Sequence, residues 1–443
     1  MTGAASSPLS NADEVPLLCG QRWLLRLFLH QRAWARPVQR LYRLPPSLDT
    51  RALLEAVRTV VSRHPALRLQ LVETERGWRQ RFLDVDADVT GVALRDRSRR
   101  ERAAYAGHVL AAEGAEPFDL RHQLPFRFTI VEADGEYFLS VCLDHLAADE
   151  TGFDLFEWEV ADAYRCATLG STPPHWPAAA AFRHCLEREI EQLGREREHT
   201  EYWRRQLQGA PVGHPNAPPG EVDWVPGASH RWSMGGAALQ ELIETCRRER
   251  YSLFVALLSA QVKLLAGLLH TDDIVLNVPI SNRVQADDRR VIANLSMLLH
   301  VRFTLSAGQT DREFVRQVRD RMLAAIAHRQ YDYASLSDAL GEDAAARGRR
   351  IHWLMGCSYL DDRLPAPPDP VLAERLDEDS PALDVPRTAC TFAYRHGGDR
   401  LEVTATWDPD AWKVDGAAFA DQFLDALGAL HGRPSLGWQS SAR

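Results

Sequence analysis

Apolar positions along the chain alternate between two periods, one helical and one extended. RALLEAVRTVVSRH (51–64) sets Leu53, Leu54, Val57, Val60 and Val61 at helical spacing, and Pro65 stops the pattern. ERAAYAGHVLAAEGA (101–115), TGFDLFEWEVADAYRCA (151–167), DREFVRQVRDRMLAAIAHR (311–329) and AAFADQFLDALGALH (417–431) also read as helices. FRHCLEREIEQLGREREHTEYWRRQL (182–207) predicts a highly charged helix or helix pair, entered through the Pro-rich break STPPHWP (171–177). A Pro- and Gly-rich loop is expected over 208–229. RQRFLDV (79–85), VALRD (92–96), DIVLNVPIS (273–281), SMLLHVRFTL (296–305), IHWLMGCSYL (351–360) and RLEVTATWD (400–408) read as strands. LPFRFTIVEADGEYFLSVCLDH (124–145) predicts a β-hairpin turning at ADG. In its second strand Tyr137, Leu139, Val141, Leu143 and His145 share one face, and Phe138, Ser140, Cys142 and Asp144 share the other. Both faces are largely apolar, which predicts a central strand covered on both sides.

Strands and helices mix in both halves, so the fold class is α/β (α+β) in two lobes of similar style. The 443 residues, 45% apolar and 26% charged, suit a globular protein with a sizeable core. The apolar run SLFVALLSAQVKLLAGLLH (252–270) is long enough for a membrane span, but Gln261 and Lys263 inside it favour a buried core helix. A net charge of −9 argues against a nucleic-acid partner, which needs a basic surface to neutralise phosphates. The local basic run RDRSRRER (95–102) reads as a solvated face. Seven scattered cysteines without a CxxC pair fit a reduced compartment, and the N-terminal stretch lacks the order of a signal peptide. A cytoplasmic location is expected.

Chemistry concentrates where the hairpin ends, in LDHLAADETG (143–152). Histidine is the side chain whose unperturbed pKa lies nearest neutrality, so His145 can take a proton from an amine or hydroxyl nucleophile. Asp149, four residues on, can hold the turn by pairing with an arginine; the competing reading of His145 is a satisfied, partly buried histidine. Catalytic zinc would need three protein ligands, and no second histidine pair such as HExxH is present. Cys142 faces away from His145, which disfavours a paired nucleophile. GxSxG, P-loop and GxGxxG motifs are absent, which disfavours hydrolase, NTPase and dinucleotide-binding readings.

Several segments together resemble the condensation domains of nonribosomal peptide synthetases, within the HHxxxDG acyltransferase superfamily that includes chloramphenicol acetyltransferase. LLCGQRWLL (17–25) is similar to the family's AQxRxW opening and SRHPALR (62–68) to its RHxxLR element. EPFDLRHQLPFRFTI (116–130) resembles the segment before the active strand, and LDHLAADE (143–150) occupies the HHxxxDG position. EYWRRQLQGAP (201–211) resembles YWxxxLxGAP, NVPISNR (277–283) the stretch before the floor loop, and VIANLSMLLHVRF (291–303) the IGxFVNxxPxR element.

The resemblance implies two chloramphenicol-acetyltransferase-like lobes forming a V-shaped pseudo-dimer with a central tunnel. The lobes are expected at 1–176 and 177–443, with a floor loop near 278–294 and a latch near 361–384. It implies a freestanding acyltransferase joining a carrier-bound acyl or peptidyl thioester to an amine or hydroxyl. The acyl or peptidyl carrier protein supplies the phosphopantetheine arm, the acceptor is free or carrier-bound, and no covalent cofactor, metal, nucleic acid or membrane is expected. A monomer is expected. By position, His145 is the catalytic histidine, Asp149 the structural aspartate and Arg283 its candidate partner, with oxyanion donors expected among the amides of 149–152. Two positions depart from the family pattern: the first histidine is Asp144, an architectural position, and the glycine after Asp149 is Glu150. Glu150 and Gly152 are expected to face the tunnel. Three readings of Glu150 follow: it points away while Gly152 supplies the flexibility, it attracts a cationic acceptor, or catalysis is lost and the chain is a platform that binds carriers or recruits a tailoring enzyme.

Overall fold

The computed structural model describes residues 14–30, 37–75, 77–84, 92–95, 112–133, 136–172, 178–217, 222–348, 350–361, 374–375, 384–432 and 439–440. The expected turn at ADG, most of the helix at 101–115 and most of the stretch at 361–384 lie outside the described residues. The chain forms two compact units: Met1–Gly194 with Ser281–Ser296 and Leu364–Ser380, and Arg195–Ile280 with Met297–Arg363 and Pro381–Arg443. This division differs from a single cut at 176, because the first unit runs on to Gly194 and takes back two later segments.

The first unit begins with β1 (Val15–Pro16), α1 (Cys19–His30), β2 (Val38–Leu44), α2 (Thr50–Arg63), β3 (Leu69–Thr74), β4 (Gly77–Phe82) and β5 (Val92–Arg95). It continues through β6 (Phe126–Ala133), β7 (Glu136–Leu143), α3 (Glu150–Thr168) and α4 (Ala178–Gln192). β7 is the third of five strands, between β2 and β6, with β5 on the edge beyond β6. Backbone pairing of Glu374–Arg375 with Arg43 and Tyr42 adds the fifth strand at the other edge. The alternation in β7 is realised: Leu139, Val141 and Leu143 pack with Val57, Val60, Phe153 and Phe156 of α2 and α3, while Ser140 and Cys142 are buried on the reverse face. α2 is capped by the Asp49 carboxylate, which accepts from the Arg51 and Ala52 amides. Where α2 ends, Arg63 and His64 both reach Glu159 of α3, at 2.7 and 3.0 Å. The RHxxLR-like element thus fastens α2 to the helix that follows the turn at 144–149. α4 stays with this unit because Phe182, Cys185 and Leu186 share a cluster with Leu18, Leu25, Leu71 and Val291.

The second unit contains α5 (Glu196–Leu207), β8 (Trp224–Pro226), β9 (Ala228–Gly235), α6 (Gly236–Glu249), α7 (Leu253–Leu269), β10 (Asp273–Ser281) and β11 (Ser296–Thr304). Then come α8 (Asp311–Ala327), α9 (Tyr333–Ala346) and β12 (Met355–Asp361). β13 is the Glu374–Arg375 strand already placed in the first unit, and β14 (Asp384–Pro386), β15 (Cys390–Gly397), β16 (Arg400–Trp407), α10 (Pro409–Trp412), α11 (Gly416–Leu430) and β17 (Gln439–Ser440) complete the chain. Its sheet runs β11-β10-β12-β15-β16-β9-β17. α7 is a core helix: Gln261 gives a 2.8 Å hydrogen bond to the Gly356 carbonyl and accepts one from the buried Tyr394 hydroxyl. No single helix among the described residues is long and apolar enough to cross a membrane. The charged segment over 182–207 is a helix pair, and part of the loop expected over 208–229 is instead β8 and the start of β9.

Candidate active site

β7 ends at Leu143, and the chain turns through Asp144–Asp149 into α3. The Asp144 carbonyl takes the amides of Ala147 and Ala148, so the turn closes on itself. His145 Nδ1 lies 3.0 Å from the Ala148 carbonyl oxygen. A carbonyl only accepts, so Nδ1 carries the proton and Nε2 of the neutral ring presents its lone pair. The backbone beside it is held from two sides. Asn294 Nδ2 donates to the His145 carbonyl at 2.7 Å, and Gln21 Nε2 donates to the Leu146 carbonyl at 2.8 Å. Gln21 and Asn294 are both 0% exposed. Sequence reasoning found the segments that carry them but assigned neither residue a role.

Asp149 caps α3, accepting the Gly152 amide on Oδ1 at 2.8 Å. Arg283 binds the same carboxylate through both Nη atoms, at 2.6 Å to Oδ2 and 2.9 Å to Oδ1. Its Nη2 also donates to the carbonyls of Val291 and Ala293, and the Leu295 amide donates to Asp149 Oδ2 at 3.0 Å. Both side chains are nearly fully buried. A two-pronged guanidinium–carboxylate contact, backed by further hydrogen bonds from Nη2, fixes orientation as well as charge. The structure therefore brings His145, Asp149 and Arg283 into one assembly, with 281–296 folded back onto the turn.

Glu150 and Gly152 both make contacts within the first unit. Glu150 opens α3 and directs its carboxylate to Arg40 of β2, Oε1 to Nη2 at 2.6 Å. Arg40 is 1% exposed, lies over the Phe153 ring at 4.2 Å, and also binds Asp154 and Glu157 at 2.7 and 2.8 Å. Burial works against its charge, yet Glu157, Glu150 and Asp154 outweigh that cost and hold its pKa above the ordinary arginine value. The carboxylate of Glu150 is thus a partner of a buried arginine. Gly152 is buried: a Cβ there would meet Ala293 O and Asp149 Oδ1, each at 3.2 Å. The amides of Asp149 and Gly152, expected as oxyanion donors, are committed to Ala293 O and Asp149 Oδ1.

Asp144, the first residue after β7, is 5% exposed. Burial pushes its pKa up to about 6, against the Leu146 amide and the charges of His145 and Arg127, which favour the anion. Cys142 is also buried, and burial raises its thiol to about 11, leaving almost no thiolate at neutral pH. Among the described residues no group of three His, Cys, Asp or Glu side chains is placed to hold a metal ion.

Comparison with known proteins gives this geometry a family. The condensation-domain family model matches residues 11–352. A linear gramicidin synthase of Brevibacillus parabrevis is 27% identical over 349 residues, which cover 71% of this chain and 4% of that protein. The chain therefore matches a small part of that synthase. Among solved structures, the teicoplanin X-domain in complex with OxyB has a TM-score of 0.73 at 20% identity, covering 98% of this chain and 96% of that one. The starter condensation domain of rhizomide synthetase, a mutant in complex with C8-CoA, has a TM-score of 0.70 at 17% identity, covering 96% of each chain. These likenesses establish the chloramphenicol-acetyltransferase-like fold. The chain belongs to the condensation-domain family of nonribosomal peptide synthesis.

Proposed function

We propose that the chain is an acyltransferase that joins a carrier-bound acyl or peptidyl thioester to an amine or hydroxyl. The observation that carries this reading is the Nδ1–H contact of His145 with the Ala148 carbonyl, which leaves Nε2 as the base. Nε2 takes the proton of the nucleophile as its nitrogen or oxygen attacks the thioester carbonyl carbon. The new C–N or C–O bond forms, the tetrahedral oxyanion collapses, and the C–S bond breaks. The proton held on Nε2 passes to the departing thiolate. Asp149 and Arg283 touch no reacting atom in this scheme; they hold the turn from which the imidazole acts.

A second reading, a non-catalytic platform that binds carriers or recruits a tailoring enzyme, draws support from the likeness to an X-domain known in complex with OxyB and from the two departures at Asp144 and Glu150. Intact-mass analysis of loaded carriers with candidate acceptors separates the two. Transfer of the acyl group to the acceptor, lost in His145→Ala, supports the acyltransferase. Absence of product with every matched carrier, or full turnover in His145→Ala, overturns it; carrier binding untouched by His145→Ala would then favour the platform.

A further inference from the structure

A cleft of about 560 Å³ opens in the first unit beside the turn, lined by Asp144 and Leu146 but not by His145. Its walls are Phe28 of α1, Leu71 of β3, Trp78 of β4, Phe118 and Leu146, and Asp144 sits among them. The size suits a small organic molecule, and apolar walls with a few placed polar groups are the usual make-up of such sites; Glu116, Asp119 and Arg121 line this cleft besides Asp144. Asp144 Oδ1 accepts the Leu146 amide at 2.8 Å, whereas Oδ2 receives no hydrogen bond from any described residue. The nearby cation does not serve that oxygen. Arg127 stacks on Phe118 at 3.9 Å and gives its hydrogen bonds to the carbonyls of Glu113, Glu116 and Pro117. An oxygen that lines a cleft beside aromatic and aliphatic walls can take a charge-assisted hydrogen bond from a cationic donor arriving on an apolar body.

We propose that this cleft binds a hydrophobic primary amine, its apolar body against Phe28, Leu71, Trp78 and Phe118 and its ammonium on Asp144 Oδ2. The site is separate from the reacting side of the turn, since His145 does not line it. It nevertheless touches the catalytic backbone, because the Asp144 carbonyl holds the Ala147 and Ala148 amides. An amine bound there acts as an effector that braces the turn from behind. This inference does not depend on the chain being an active acyltransferase.

Calorimetric titration of the full chain with 2-phenylethylamine at pH 7.5 tests it, with 2-phenylethanol as the uncharged comparator. The expected result is saturable, submillimolar binding of the amine, with the alcohol and Asp144→Asn each weaker by about tenfold or more. Binding to His145→Ala should stay within about twofold, a factor worth under ~0.5 kcal/mol. Leu29 lines the cleft and is 55% exposed, so Leu29→Arg places a cation at the rim without disturbing the core, and weaker amine binding is expected. Lowering the pH to 5 protonates Asp144 and should weaken the amine by about tenfold. The other charges facing the cleft or Asp144 are Glu116, Asp119, Arg121, Arg127 and His145. No saturation at 10 mM amine, unchanged affinity in Asp144→Asn or in Leu29→Arg, equal binding of the alcohol, or loss of binding in His145→Ala would each overturn the proposal.

Discussion

The contact between Asp149 and Arg283 permits a quantitative test of how the site is held. Asp149→Asn preserves size but converts one oxygen to an NH2 group. Whichever oxygen it replaces, that group faces one Nη of Arg283 together with one backbone amide, Gly152 or Leu295, and all of these are donors. Leaving a buried guanidinium without its carboxylate costs about 3–5 kcal/mol. Arg283→Met leaves the carboxylate with two backbone donors, so the expected cost lies near the lower end, about 3 kcal/mol. If the two effects were independent, the double variant would lose about 7 kcal/mol. Removing both charges leaves neither unpaired, so the expected loss is about 4 kcal/mol, a coupling of about 3 kcal/mol. Urea unfolding followed by tryptophan fluorescence and circular dichroism measures each variant. Because the chain has two compact units, the curves are fitted with two transitions, and only that of the first unit should shift. The same variants should lose about 10²-fold in kcat/KM, since displacing a catalytic group by an ångström costs that much. A coupling below about 0.5 kcal/mol, the scatter of independent sites, would refute the reasoning.

Other predictions follow from neighbouring contacts. Glu150→Gln should change stability by no more than about 1 kcal/mol and turnover by less than twofold, because its carboxylate is part-exposed and Arg40 keeps Asp154 and Glu157. Arg40→Met strands those carboxylates around a buried position and should cost about 3–5 kcal/mol, read by the same urea curves. Gly152→Ala pushes a methyl against Ala293 O and Asp149 Oδ1 and should cost about 1–3 kcal/mol, with activity falling alongside. Asp144 gives a pH signature: burial holds it at about 6 in the folded chain, above the ~4 of an unfolded carboxylate. The stability of its protonated form is complete below pH ~4 and is lost as pH rises through 6, a change on the order of 3 kcal/mol. Asp144→Asn should remove that slope and be the more stable protein at pH 7.5; a parallel pH profile for the two would contradict the assignment.

Much of the fold was legible because it rests on local periodicity. The hairpin, the central position of β7 and the helices over 151–167, 252–270 and 311–329 follow from spacing alone, and the structure gives α3 at Glu150–Thr168, α7 at Leu253–Leu269 and α8 at Asp311–Ala327. The turn's chemistry was legible through the resemblance around 143–150. What escaped was the destination of Glu150. Its partner Arg40 lies 110 residues earlier, on a short strand whose VQRLYRL sequence puts two arginines among apolar residues. An arginine there looks solvated until the fold covers it. Gln21 and Asn294 escaped for the same reason: each donates to a backbone carbonyl, and a carbonyl leaves no trace in the sequence. The second unit's β9 and β15 were missed where Gly, His and Arg break the alternation.

The segment Ser281–Ser296, which supplies Arg283 and Asn294, leaves the chain that builds the second unit in order to finish the first. Its lesson concerns the order of assembly. Asp149 and Arg283 are 134 positions apart, so a nascent chain carries the histidine turn long before its brace has been synthesised. Sequence-distant contacts close late and slowly, and unfinished units expose apolar surface meanwhile. A ribosome releasing the first 194 residues delivers strands and helices without a braced turn. Bracing of the His145 turn is thereby tied to synthesis of part of the other unit, and a prematurely truncated product lacks that brace by its topology.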